Sequence, residues 1–180
     1  LAIINEGFVT YGGMSGRDLE ALAIGLYEGV EEDYLEYRIN QVAYLGEQLS
    51  KKGVPIILPT GGHGVYVDAQ KFYPNIPQSE FPGQAMVVEL FKTGGVRGVE
   101  LGSCAFSKKN LETGEIIFPD LELVRLTVSR RVYTNRHMDV VVNALADVFE
   151  RRNEMKGLKL IYEGPIISLR HFTAKFEPIS

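Results

Sequence analysis

The stretch LELVRLTVS, residues 121–129, constrains the fold more than any other. Side chains alternate faces along a strand. Val124, Leu126 and Val128 therefore point one way, and Leu123, Arg125, Thr127 and Ser129 point the other. The branched set is expected to pack on helices of its own domain. Arg125 is left on the opposite face, which a second domain or a ligand must cover. A guanidinium in such a place wants a carboxylate or a phosphate, held through its planar fork. An internal salt bridge to Asp or Glu meets the same need and is the commoner outcome on spacing alone. Arg130 and Arg131 are expected at solvent or at a subunit interface.

The patterns around this strand mix helix and sheet without a strict βαβ rhythm. Residues 1–8 read as a buried strand, followed by a glycine-rich loop at 10–16. Ser15, three places before Asp18, reads as a helix start of the capping-box kind. Leu19, Leu22, Ala23, Leu26 and Val30 repeat at helical spacing. The acidic run Glu31, Glu32 and Asp33 suits the first turn of a second segment. That segment continues through Leu35, Ile39, Val42, Leu45 and Leu49 to a stop at Gly53. Residues 54–60 and 64–72 read as short strands, and 81–95 as a helix with Pro82 in its first turn. Strands are expected at 96–102 and 121–129, with a turn-rich SKKNLETGE between them. A helix runs from Thr134 to about Arg152 with Met138, Val141, Val142, Leu145, Val148 and Phe149 as its apolar face. LKLIYEG and SLRHFTAKF finish the chain as extended segments. The sum predicts an α+β fold, a small and mostly antiparallel sheet with helices on one face.

Composition narrows the partners. The formal net charge of −4 offers no basic face for nucleic acid or an anionic membrane. No apolar run reaches the ~18 residues of a membrane span. A single cysteine, Cys104, excludes an intramolecular disulfide framework and suits a reducing, cytoplasmic setting. The opening LAIINEGF is apolar and strand-like with nothing polar before it. Such a strand is expected to belong to a sheet whose other strands lie elsewhere, so the chain reads as the C-terminal portion of something longer. Processing of a precursor is the competing explanation.

Few residues announce chemistry by themselves. His63, His137 and His171 make no metal-ligand spacing, and there is no HExxH or CxxC. His137 reads as a surface or packing residue, and His63 as a turn residue. His171, between Arg170 and Phe172, suits either an aromatic ligand or a satisfied core position. Lys51–Lys52 and Lys108–Lys109 read as solvated charge.

Six stretches in order are more specific than any single residue: EGFVTYGGMSGRDLEALAIGLYEG, YRINQVAYLGEQL, GGHGVYVDAQKF, FPGQAMVVELFKTGGVRGVELGS, VRLTVSRRVYTNRHMD and LRHFTAKF. Across nearly the whole chain they resemble the C-terminal part of the aromatic amino acid β-eliminating lyases, the tryptophanases and tyrosine phenol-lyases. The resemblance implies a pyridoxal 5′-phosphate enzyme of the aspartate-aminotransferase type (fold type I). It implies residues 1–16 as the end of the large cofactor-binding domain, 17–53 as a long interdomain helical segment and 54–180 as the small C-terminal domain. It further implies a homotetramer that needs potassium or another monovalent cation.

The same resemblance assigns residues. Arg125 corresponds to the arginine that grips the substrate carboxylate, and Tyr11 to a tyrosine at the active-site entrance. Leu101, Phe172 and Phe8 fall at substrate-contacting positions, and His171 with Tyr11 at catalytic ones. Tyrosine phenol-lyases resemble one another in carrying arginine at the place of Leu101 and phenylalanine at the place of His171. Both departures point to L-tryptophan as the substrate, cleaved to indole, pyruvate and ammonium. A tyrosine phenol-lyase-like enzyme and a stand-alone, non-catalytic assembly or binding domain remain as alternatives. The lysine, phosphate loop and aspartate that hold the cofactor belong to upstream motifs absent here, so this chain alone is expected to be inactive.

Overall fold

The computed structural model describes residues 15–166 and 169–179. The chain divides into two compact units, Leu1–Arg38 and Ile39–Ser180.

In the first unit, helix α1 (Gly16–Glu28) opens as its cap predicts, with the Ser15 hydroxyl accepting from Asp18 N–H at 3.3 Å. Its stripe of Leu19, Leu22 and Leu26 is at least half exposed. Gly29 ends the helix. Helix α2 (Glu32–Lys51) follows with Glu32 and Asp33 in its first turn, where the helix dipole favours them. The boundary between the units falls within α2.

The second unit is an α+β domain. Its main sheet has the order β1 (Gly64–Asp68), β5 (Leu123–Thr127), β2 (Val99–Leu101), with both pairings antiparallel. Val65 and Val67 lie opposite Leu126 and Val124, and all four are buried. Against them pack Val42, Leu45 and Leu49 of α2, Met86 and Leu90 of α4 (Pro82–Gly94), and Met138, Val142 and Leu145 of α6 (Asn135–Glu150). Each such side chain contributes about 1.5–3 kcal/mol when fully withdrawn from water. The apolar face read for residues 134–152 is therefore the core face of α6, with Val141 and Phe149 at its margin. Helices α4 and α6 approach closely. A Cβ on Gly94 would stand 2.5 Å from that of Ala144.

The helix ends follow local chemistry. Pro82 sits in the first turn of α4, where its missing N–H costs nothing, and Gly95 closes the helix at φ 64°. Thr134 precedes α6 and its N–H donates to His137 Nδ1 at 3.1 Å. His137 thus caps its own helix, with its ring edge-on to Tyr133.

Four expected elements differ. Residues 54–60 form no strand, since Pro55 and Pro59 lack ladder donors. One bridge, Ile56 to Val67, holds the segment beside β1. The strand read at 64–72 stops at Asp68, whose carboxylate accepts from Lys71 N–H at 3.0 Å and starts the short helix α3 (Ala69–Phe72). The polar turn at 107–115 is the bend of a hairpin, β3 (Lys108–Lys109) with β4 (Ile116–Ile117), its loop held by Asn110 Oδ1 accepting from Glu112 N–H. The final segment is not extended throughout. Arg170–Thr173 winds into helix α7, and Lys175–Pro178 (β7) pairs with β6 (Leu158–Tyr162). The short helix α5 (Ser103–Phe106) follows β2.

Candidate active site

Arg125 stands where alternation puts it. Val124 and Leu126 are buried at 0% and 4% exposure, whereas Arg125 is half-buried on the opposite face of β5. Tyr66 of β1 and Val99 of β2 lie directly across from it. Leu101 pairs with Leu123 one step along, so Leu101 and Arg125 are diagonal neighbours on the same face. The fold brings these two predicted substrate positions together. Among the described residues Arg125 has no ion pair, and its buried Nε has no hydrogen-bond partner. A buried guanidinium N–H without an acceptor is costly, so this face suits an anionic partner.

The other predicted positions are distributed differently. His171 and Phe172 lie side by side on α7 with ring centroids 4.0 Å apart, and both are exposed. His171 is thus no core histidine, and it sits on a helical turn rather than on the extended segment expected of it. Tyr11 and Phe8 lie outside the described residues. His63 lies at the turn before β1, its carbonyl accepting from Val128 N–H and its ring near the Tyr66 hydroxyl. Lys51, Lys52, Lys108 and Lys109 are exposed. Among the described residues no cluster of His, Cys, Asp and Glu could hold a metal ion, and no helix is long and apolar enough to cross a membrane.

Beneath Leu101 lies a polar cluster that sequence reading missed. Glu100 and Glu122 are both buried, on the core side of the sheet. Glu122 accepts from Ser103 N–H at 2.9 Å, from the Ser103 hydroxyl at 2.5 Å and from Gly83 N–H at 3.3 Å. Glu100 accepts from Cys104 N–H at 2.9 Å and Ala105 N–H at 3.0 Å. Arg170, also buried, donates to the carbonyls of Ser103 and Cys104 and to Glu163. The signal was present in VELGS. A glutamate alternating onto the apolar face of a strand needs donors, and the Gly-Ser step beyond it exposes helix-start N–H groups.

Burial raises the Glu100 carboxyl to about 7, with the nearby Glu122 charge adding to this and the N–H groups of Cys104 and Ala105 opposing it. A carboxyl raised on folding adds stability that is complete below its unfolded value, near 4.5, and lost as pH rises through about 7. At about 1.4 kcal/mol per pH unit the full span is worth up to about 3 kcal/mol. Glu100→Gln is expected to flatten the pH dependence of unfolding free energy between pH 4.5 and 7, as denaturant titrations across that window would show. An unchanged slope would refute the assignment.

The arrangement is a sheet face offering one guanidinium to an anion, next to an apolar position. The Beta-eliminating lyase family model matches residues 20–144. The chain belongs to the β-eliminating lyase family. It is 52% identical over 178 residues to tyrosine phenol-lyase of Symbiobacterium thermophilum, covering 99% of this chain and 38% of that protein. It is likewise 52% identical over 178 residues to the probable tryptophanase of Aeropyrum pernix, covering 98% and 38%. With the tryptophanase of Hyphomonas neptunium the identity is 48% over 177 residues, covering 98% and 38%. This β-eliminating lyase chain therefore spans under two-fifths of the length of these relatives. Overall identity is equal toward the first two, so the choice between the two activities falls to individual positions.

Proposed function

We propose that this chain is the substrate-gripping portion of a tryptophanase, an enzyme that cleaves L-tryptophan to indole, pyruvate and ammonium. The observation that carries the reading is the face shared by Arg125, whose buried Nε has no partner among the described residues, and Leu101. Arg125 takes the α-carboxylate of the amino acid, which fixes how the Cα–H bond is presented. Leu101, apolar and uncharged, meets the indole and has nothing to offer a phenol hydroxyl. His171, exposed on α7, is free to meet the aromatic ring or to order water around it.

Pyridoxal 5′-phosphate, when bound, supplies the electron sink that makes Cα deprotonation possible. The Arg125 guanidinium suits a substrate carboxylate, and the family resemblance puts the lysine that holds the cofactor in the rest of the protein. We therefore assign a fold type I enzyme in which this chain alone is inactive. Tetramer formation and the monovalent cation stand on the same resemblance, and a cytoplasmic location on the single cysteine. A tyrosine phenol-lyase is the alternative reading, since the chain is as identical to a relative of that name as to the probable tryptophanase.

One assay separates the two. The full-length protein is expected to release indole from L-tryptophan faster than phenol from L-tyrosine. His171→Phe is expected to lower kcat/KM for L-tryptophan by roughly a hundredfold, the weak end for proton-handling groups, with little change on L-tyrosine. Phenol release exceeding indole release would overturn the tryptophanase reading.

A further inference from the structure

We propose that Arg170 is a positioning residue that locks the turn after Leu101 to the helix bearing His171, so that the two positions discriminating among aromatic substrates are held as one body. The proposal rests on the functional reading above and goes beyond it, because neither the resemblance nor the relatives assign Arg170 a role.

Helix α7 has four residues, too short to hold itself together, and Arg170 is its only buried member. The guanidinium donates from Nε to Cys104 O at 2.7 Å and from Nη2 to Ser103 O at 2.6 Å. Nη1 completes the grip on Glu163 at 3.3 Å. Two successive carbonyls spanned by one planar fork is a geometry that lysine cannot copy. The same turn is fixed from its other side, where Glu100 and Glu122 take its N–H groups. Residues 103–106 are thus gripped at both ends, by carboxyls on the donors and by a guanidinium on the acceptors. Leu101 lies two residues before Ser103, and His171 directly follows Arg170. Gly164 closes the arrangement, since a Cβ there would stand 2.7 Å from Thr173 Oγ1.

The test uses the full-length protein and the variants Arg170→Gln, Arg170→Lys, His171→Phe and Arg170→Gln with His171→Phe. Each is assayed on L-tryptophan and on a cysteine S-conjugate whose thiolate departs without ring protonation. Hydrogen exchange is followed in residues 163–174 and in α6. Arg170→Gln is expected to lower kcat/KM for L-tryptophan by roughly tenfold and to change the S-conjugate reaction by less than about threefold. If Arg170 acts through His171, the double variant is no worse than His171→Phe alone, a clear failure of additivity. Exchange in 163–174 is expected to quicken about tenfold while α6 is unchanged. Arg170→Lys is expected to restore part of each loss.

Equal losses on both substrates, additive losses in the double variant, or unchanged exchange in 163–174 would each overturn the proposal. A wild-type protein that releases no indole overturns the functional reading instead, and the exchange comparison still decides whether the clamp exists.

Discussion

Replacing Arg125 by Ala in the full-length protein is expected to lower kcat/KM for the amino acid substrate by roughly 10²–10⁴-fold, with Tm unchanged to within about 3 °C. Two charge-assisted hydrogen bonds to a carboxylate contribute about 1.5–3 kcal/mol each, and every 1.4 kcal/mol is about tenfold. The unchanged Tm follows from the structure. Among the described residues the guanidinium has no ion pair, and its buried Nε has no acceptor, so its removal strands no partner. A structural salt bridge predicts the reverse, because breaking a buried pair costs about 3–5 kcal/mol of stability. Substrate chemistry separates grip from packing. With L-tryptophanamide, which lacks the carboxylate, wild type and Arg125→Ala should differ by less than about threefold. Arg125→Lys should recover only part of the loss, since a point charge does not reproduce the planar fork. An equal loss on acid and amide, or a large fall in Tm, would show that Arg125 serves the fold instead.

The position of Arg125 was legible because a strand has a period of two and its apolar set is unambiguous. Val124 and Leu126 face the core, and the arginine follows by geometry. The apolar face of α6 was legible for the same reason at a period of 3.6. What the sequence hid was set by contacts between distant residues. SLRHFTAKF reads as extended by local pattern, yet Arg170 finds the carbonyls of Ser103 and Cys104, and Arg170–Thr173 winds into a helical turn. Asp68 ended a strand by capping, a competition between side chain and ladder that periodicity does not weigh. The Glu100 and Glu122 cluster was hidden differently. Alternation turns Glu122 toward the core face with Val124, but its donors come only when the turn at 102–105 is folded against it.

That cluster gives the largest expected effect on stability. Glu122→Ala should destabilise the protein by about 3–5 kcal/mol, because the buried N–H groups of Ser103 and Gly83 and the Ser103 hydroxyl lose their acceptor together. Gly102→Ala should cost about 2–4 kcal/mol by a different route. A Cβ at Gly102 would stand 2.5 Å from Glu122 Cδ and 2.6 and 2.7 Å from its two oxygens, so the carboxyl group must leave its donors to make room. The two substitutions therefore damage one arrangement, and their effects should not add. With the Glu122 side chain cut to Ala, the space needed by a residue 102 methyl is already open. The double variant is expected to be about 1–3 kcal/mol more stable than the sum of the single losses predicts. Urea unfolding of wild type, both single variants and the double variant would measure this coupling. Strict additivity would mean that Gly102 is needed for some reason other than Glu122, and the account of why glycine stands between Leu101 and Ser103 would fail.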